Sequence, residues 1–152
     1  MMSDVEVKIN NKGLEKELAL MQKMANASVK IGIQSDAGQH EKSGANLVDI
    51  AIWNEFGTDK IPSRPFIRQS FTDNQKAVAQ YLGRVFSNVA KGSDLRLEMA
   101  RLGQWYQNKQ ENTLRDYPWQ PNAKATVKRK KSSKPLIHYK LLSKAIRYQV
   151  EV

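Results

Sequence analysis

Two prolines three residues apart, in Ile61-Pro62-Ser63-Arg64-Pro65-Phe66, constrain this chain more than any other feature. Each removes a backbone donor, and each drives the residue before it, Ile61 or Arg64, into extended geometry. No helix can cross the segment, so the helices on either side must meet at a stiff elbow. Before it, Leu47 to Phe56 reads as a short helix with Val48, Ala51, Ile52 and Glu55 on a shared side. Gly57 then stands where a helix takes a left-handed C-terminal residue. Pro65 can serve as the first residue of the following helix, where a missing N–H costs nothing.

That following helix is long. Val78, Leu82, Val85 and Val89 recur at helical spacing, with Tyr81 and Phe86 beside them. Lys91-Gly92 stops it, and Ser93 or Asp94 caps another that carries Leu95, Met99, Leu102 and Tyr106 to about Arg115. The pair is a helical hairpin. Upstream, Leu14, Leu18, Met21 and Ala25 form the apolar stripe of a further helix ending near Asn26, with Leu20 and Met24 widening it and the pair Met21 and Met24 read as core filler. Alternation marks three strands: Val5-Val7-Ile9, Ser28 to Gln34 (on Val29, Ile31 and Ile33), and Ile146-Tyr148-Val150-Val152. Leu136 to Lys144 makes a short helix. The expected fold class is α+β, a single domain over residues 1–152. In it a small mixed or antiparallel sheet from the N-terminal and C-terminal strands packs against three to four helices.

Composition excludes several classes. The longest stretch without a charged residue is seven, Ala77 to Gly83 being one, far short of the roughly 20 apolar residues a membrane span needs. Asp4, Glu6 and Lys8 interrupt the place where a signal peptide keeps its apolar region. With no Cys among 152 residues, disulfide frameworks, cysteine zinc sites and thiol nucleophiles are out, and a reducing compartment fits.

Charge is unevenly placed. Residues 1–116 carry 16 basic and 14 acidic side chains, whereas 117–152 carry 9 basic and 1 acidic. Most of the net +10 therefore sits in a C-terminal arm whose densest part is Lys124, Lys128, Arg129, Lys130, Lys131 and Lys134. Such an arm can meet nucleic acid, an acidic membrane surface or an acidic protein, or it is a solvated basic loop. The stretch 123–135 lacks apolar spacing and reads as a mobile loop. The same holds for 35–46, small and polar throughout.

Catalytic signatures are missing. His40 and His138 have no nucleophile motif around them, no glycine-rich phosphate loop occurs, and Asp49 and Glu55 are six apart on different sides of their helix. No catalytic, cofactor or metal-ligating residue is assigned, and the expectation is a non-enzymatic protein. Trp53 and Trp105 fall within or beside apolar helical stripes and are expected in the core. Trp119, between Pro118 and Pro121 beside the basic arm, reads as a corner packed on its own domain or as an aromatic facing a partner.

One run of residues resembles a known family. Asn54-Glu55-Phe56-Gly57-Thr58, then Ile61-Pro62-Ser63-Arg64-Pro65-Phe66 with Arg68 two further on and Phe71 beyond, is similar to the signature of the tail-completion and virion-morphogenesis proteins of tailed bacteriophages. That group includes the minor tail protein Z of phage lambda and the tail components typified by gene product 10 of phage HK97. Ser63 stands where the family usually has Ala. A looser likeness follows in Thr126-Val127-Lys128-Arg129-Lys130, Lys134-Pro135-Leu136-Ile137 and Ile146-Arg147-Tyr148, although His138-Tyr139-Lys140 replaces the family's Asp-Thr-Gly.

The resemblance implies a structural virion protein at the head-proximal end of the tail, in the neck. There a ring of six copies completes the tail and joins it to the head. Its implied partners are other copies of itself and neighbouring tail-tube, tail-terminator or head-connector proteins, with transient contact to genomic DNA in the channel and none to membrane. Its implied location is the virion, and the host cytoplasm during assembly. On physical grounds Gly57 lets the chain reverse, Pro62 and Pro65 stiffen the return, and Phe56, Phe66 and Phe71 pack the turn onto the core. Arg64 and Arg68 are placed to bind helix carbonyls or a carboxylate such as Glu55, within the subunit or across to a neighbour. The competing class is a sequence-independent nucleic-acid-binding protein that uses the basic arm.

Overall fold

The computed structural model describes residues 8–41, 43–120 and 140–152. Among them the chain runs α1 (Lys12–Asn26), β1 (Ser28–Ile33), α2 (Leu47–Phe56), α3 (Phe66–Ala90), α4 (Leu95–Asp116), α5 (Lys140–Lys144) and β2 (Ile146–Glu151). The fold is α+β. β1 and β2 pair antiparallel in the register Val29↔Val150, Ile31↔Tyr148, Ile33↔Ile146, and α4 lies against both strands while α3 lies along α4.

The hairpin forms for local reasons. Lys91 ends α3, and Gly92 takes φ 109°, a left-handed value that favours glycine. Asp94 then caps α4, its side chain accepting the Leu97 N–H at 2.8 Å. Across the turn, the buried Glu98 carboxylate accepts from Asn88 Nδ2 at 3.2 Å and from Arg101 at 2.9 Å, tying the two helices together.

Two apolar clusters result. The first gathers Phe66, Leu114, Trp119, Leu142 and Ile146 with Leu47, Ile50 and Ala51 of α2, and it holds the elbow end of the molecule. Phe66 and Leu142 are fully buried, each contributing about 1.5–3 kcal/mol. The second, of Val85, Val89, Met99 and Leu102, holds the hairpin-turn end.

Several expectations are corrected. The N-terminal strand does not extend the sheet among the described residues: Val5 and Val7 lie outside them, and Ile9 is exposed irregular backbone. In α1 the expected core stripe faces solvent. Leu14, Leu18 and Met21 are each more than half exposed, Ala25 is exposed too, and no residue of the helix is buried. Leu20 and Met24, off that stripe, touch the hairpin-end cluster instead. Periodicity shows that a helix has an apolar side, not which element covers it.

In α2 the buried side is Leu47, Ile50, Ala51, Asn54 and Glu55, so Ile52 and Trp53 point outward. That helix is apolar nearly all round, which leaves no amphipathic signal to choose a face. The described residues of 35–46 carry hydrogen bonds of their own, with His40 N–H to Ala45 O at 2.8 Å, Leu47 N–H to Gly38 O at 3.0 Å and a Gln39↔Asn46 bridge. Of the expected helix over 136–144, residues 140–144 are described and helical; the basic loop 123–135 lies outside the described residues.

Candidate functional site

The elbow is built around the carboxylate of Glu55, which is 5% exposed at the end of α2. Pro65 sits at the N-cap of α3, one residue before the helix, and offers no side chain to its free N–H groups. Glu55 supplies what Pro65 lacks. Its Oε2 accepts the Ile67 N–H and its Oε1 the Arg68 N–H, both at 3.0 Å. A carboxylate in the first turn of a helix also meets the positive end of the helix dipole.

Arg68 closes the clamp. Its Nε donates to Glu55 Oε1 at 3.0 Å and its Nη2 to the Glu55 carbonyl at 2.7 Å, while Ser63 Oγ donates to the same carbonyl at 2.9 Å. The guanidinium lies 5.0 Å from the centre of the Phe56 ring. The buried Asn54 side chain donates from Nδ2 to Ile50 O at 2.8 Å, and the Asn54 backbone carbonyl accepts the Arg64 N–H at 2.6 Å. Thr58 Oγ1 accepts from Lys60 N–H and Ile61 N–H, turning the spacer between Gly57 and Pro62.

Gly57 has φ 77° and ψ 169°, not the left-handed helical pair expected of a C-terminal glycine. Its N–H still caps α2 through Trp53 O at 2.8 Å, but its ψ sends the chain out extended. This region of backbone space is essentially reserved to glycine. A Cβ there would also sit 2.9 Å from Ser63 N and 3.0 Å from Ile61 O, so the returning chain needs the missing side chain.

The second arginine reaches elsewhere. Arg64, buried, donates from Nε to Gln120 O at 3.2 Å. This fastens the elbow to the corner after α4, where Trp119 is buried, donates to Leu114 O and sets its ring 4.4 Å from that of Tyr117 at a tilt of 43°. Trp119 is therefore part of its own domain's packing. Gln120 is the residue from which the chain enters the segment carrying Lys124, Lys128, Arg129, Lys130, Lys131 and Lys134, all outside the described residues.

The elbow brings Asn54, Glu55, Gly57, Thr58, Ile61, Pro62, Arg64, Pro65, Phe66 and Arg68 together. Of its three aromatic residues only Phe66 packs inward. Phe56 is 67% exposed and Phe71 is 50% exposed, contrary to the expectation that all three pack on the core. Phe56 belongs to the last turn of α2, and Gly57 turns the chain before that ring can meet the core. With Ile52 and Trp53 these rings put large apolar side chains on the surface around the clamp.

A second feature had no counterpart in the sequence reading. An open groove of about 710 Å³ runs between β1 and the hairpin, lined by Val29, Ile31, Val78, Leu82, Met99 and Tyr106 among others, with Phe71 and Arg68 at the elbow end. Burial pushes the Tyr106 hydroxyl above its ordinary pKa of 10.0. Gln110 is almost fully buried in the groove wall, and its Oε1 accepts no hydrogen bond from the described residues. Its signal was present: Gln110 continues the Met99-Leu102-Tyr106 spacing as a polar residue on an apolar stripe.

Among the described residues no group of three His, Cys, Asp or Glu could hold a metal ion, and no helix is long and apolar enough to cross a membrane. His40 lies 3.1 Å from Ser43 Oγ through Nδ1 and belongs to its own loop. Compared with known proteins, the chain matches no family model, no curated protein and no solved structure.

Proposed function

We propose that this protein is a non-enzymatic structural component of a tailed-phage particle, acting in the neck at the head-proximal end of the tail. Six copies form a ring that completes the tail and joins it to the head. The reading rests on the resemblance of residues 54–71 to tail-completion proteins. One observation supports it: Asn54, Glu55 and Arg64 of that motif are bonded inside the subunit, while two of its three aromatic rings, Phe56 and Phe71, face outward. Glu55 has both oxygens occupied as a helix cap, whereas Phe56 and Phe71 are exposed on either side of Arg68 in the motif, as is Trp53 just before it. Aromatic and arginine side chains are the residues that anchor protein interfaces.

The mechanism is assembly by ordering. A closed ring needs two different faces on each subunit, meeting head to tail. Arg64 fixes the start of the cationic segment relative to the elbow through Gln120 O. The segment then meets acidic surface on an adjacent ring in preference to DNA, because a conduit for moving DNA should not hold phosphate tightly. Replacing Lys128, Arg129, Lys130 and Lys131 with Ala blocks joining and leaves the circular dichroism spectrum unchanged.

The deciding experiment is electron microscopy of particles from a phage lacking this gene. Separate full heads and finished tails support the joining role; normally joined, infectious particles overturn it. The nucleic-acid-binding reading is favoured by the +8 charge of residues 117–152. It requires that DNA affinity of the purified protein persist at physiological salt and fall steeply with added salt.

A further inference from the structure

We draw no further inference here: the strongest candidate, the open apolar groove of about 710 Å³ between β1 and the hairpin, carries nothing because its one charged lining residue, Arg68, is already bonded to Glu55 and nothing in the structure shows what covers it.

Discussion

Removing the Glu55 carboxylate tests whether the elbow is a structural clamp. In Glu55→Ala the Ile67 and Arg68 N–H groups lose their acceptor at a helix start where Pro65 cannot replace it. Loss of an N-cap costs about 1 kcal/mol, up to about 2, and hydrogen bonds to a charged group are worth about 1.5–3 kcal/mol each. The two ranges describe overlapping contacts and are not summed. The Arg68 ion pair adds little, since that side chain is 59% exposed and solvent screens it. The expected loss is about 3 kcal/mol, or a fall in Tm of roughly 6–12 °C for a domain this size.

Glu55→Gln keeps the shape and one acceptor oxygen but turns an NH2 toward a donor, so about 2 kcal/mol should still be lost. Urea unfolding followed by circular dichroism would show a lower midpoint at unchanged slope. A loss under about 0.5 kcal/mol in Glu55→Ala, within the range of an ordinary surface change, would refute the clamp. So would a Glu55→Gln chain that is fully stable yet loses the protein's function, because that outcome assigns the carboxylate a chemical role.

Gly57→Ala should cost at least about 1–3 kcal/mol from backbone strain, with the Cβ contact to Ser63 N adding to it; a thermal melt within error of the parent would reject the elbow geometry. Asp94→Ala, which removes the α4 cap, should lose about 1 kcal/mol by urea titration, whereas Asp94→Asn should lose little. Tyr106 gives a pH prediction with a definite sign. Its folded pKa is raised above the ordinary 10.0 by burial, so the stability it contributes is full below 10 and is lost as pH rises through the folded value. Urea midpoints at about pH 9 and about pH 11 should therefore differ more in the parent than in Tyr106→Phe; equal differences would reject the burial argument.

The elbow was legible because its determinants are local. Prolines fix their own φ and restrict their neighbours wherever they stand, so Pro62 and Pro65 announce a helix break without any tertiary information. Arg64 and Arg68 were readable as partners for a carbonyl or a carboxylate by chemistry alone. Which arginine takes which partner was not: Arg68 binds Glu55, and Arg64 reaches Gln120, 56 positions away. Gly57 was legible as a glycine the turn requires, but its ψ of 169° depends on where Ser63 returns.

The sequence by itself determined the helices of the hairpin, the β1 and β2 segments, the proline break between α2 and α3, and the concentration of charge beyond residue 116. Each of these follows from spacing, from proline geometry or from counting. Tertiary structure alone decided which apolar faces are covered. Leu14, Leu18 and Met21 have the same helical spacing as Val85 and Val89, yet the first three stand in solvent and the last two are buried. A side chain's burial depends on what packs over it, and the element that does so is distant in sequence.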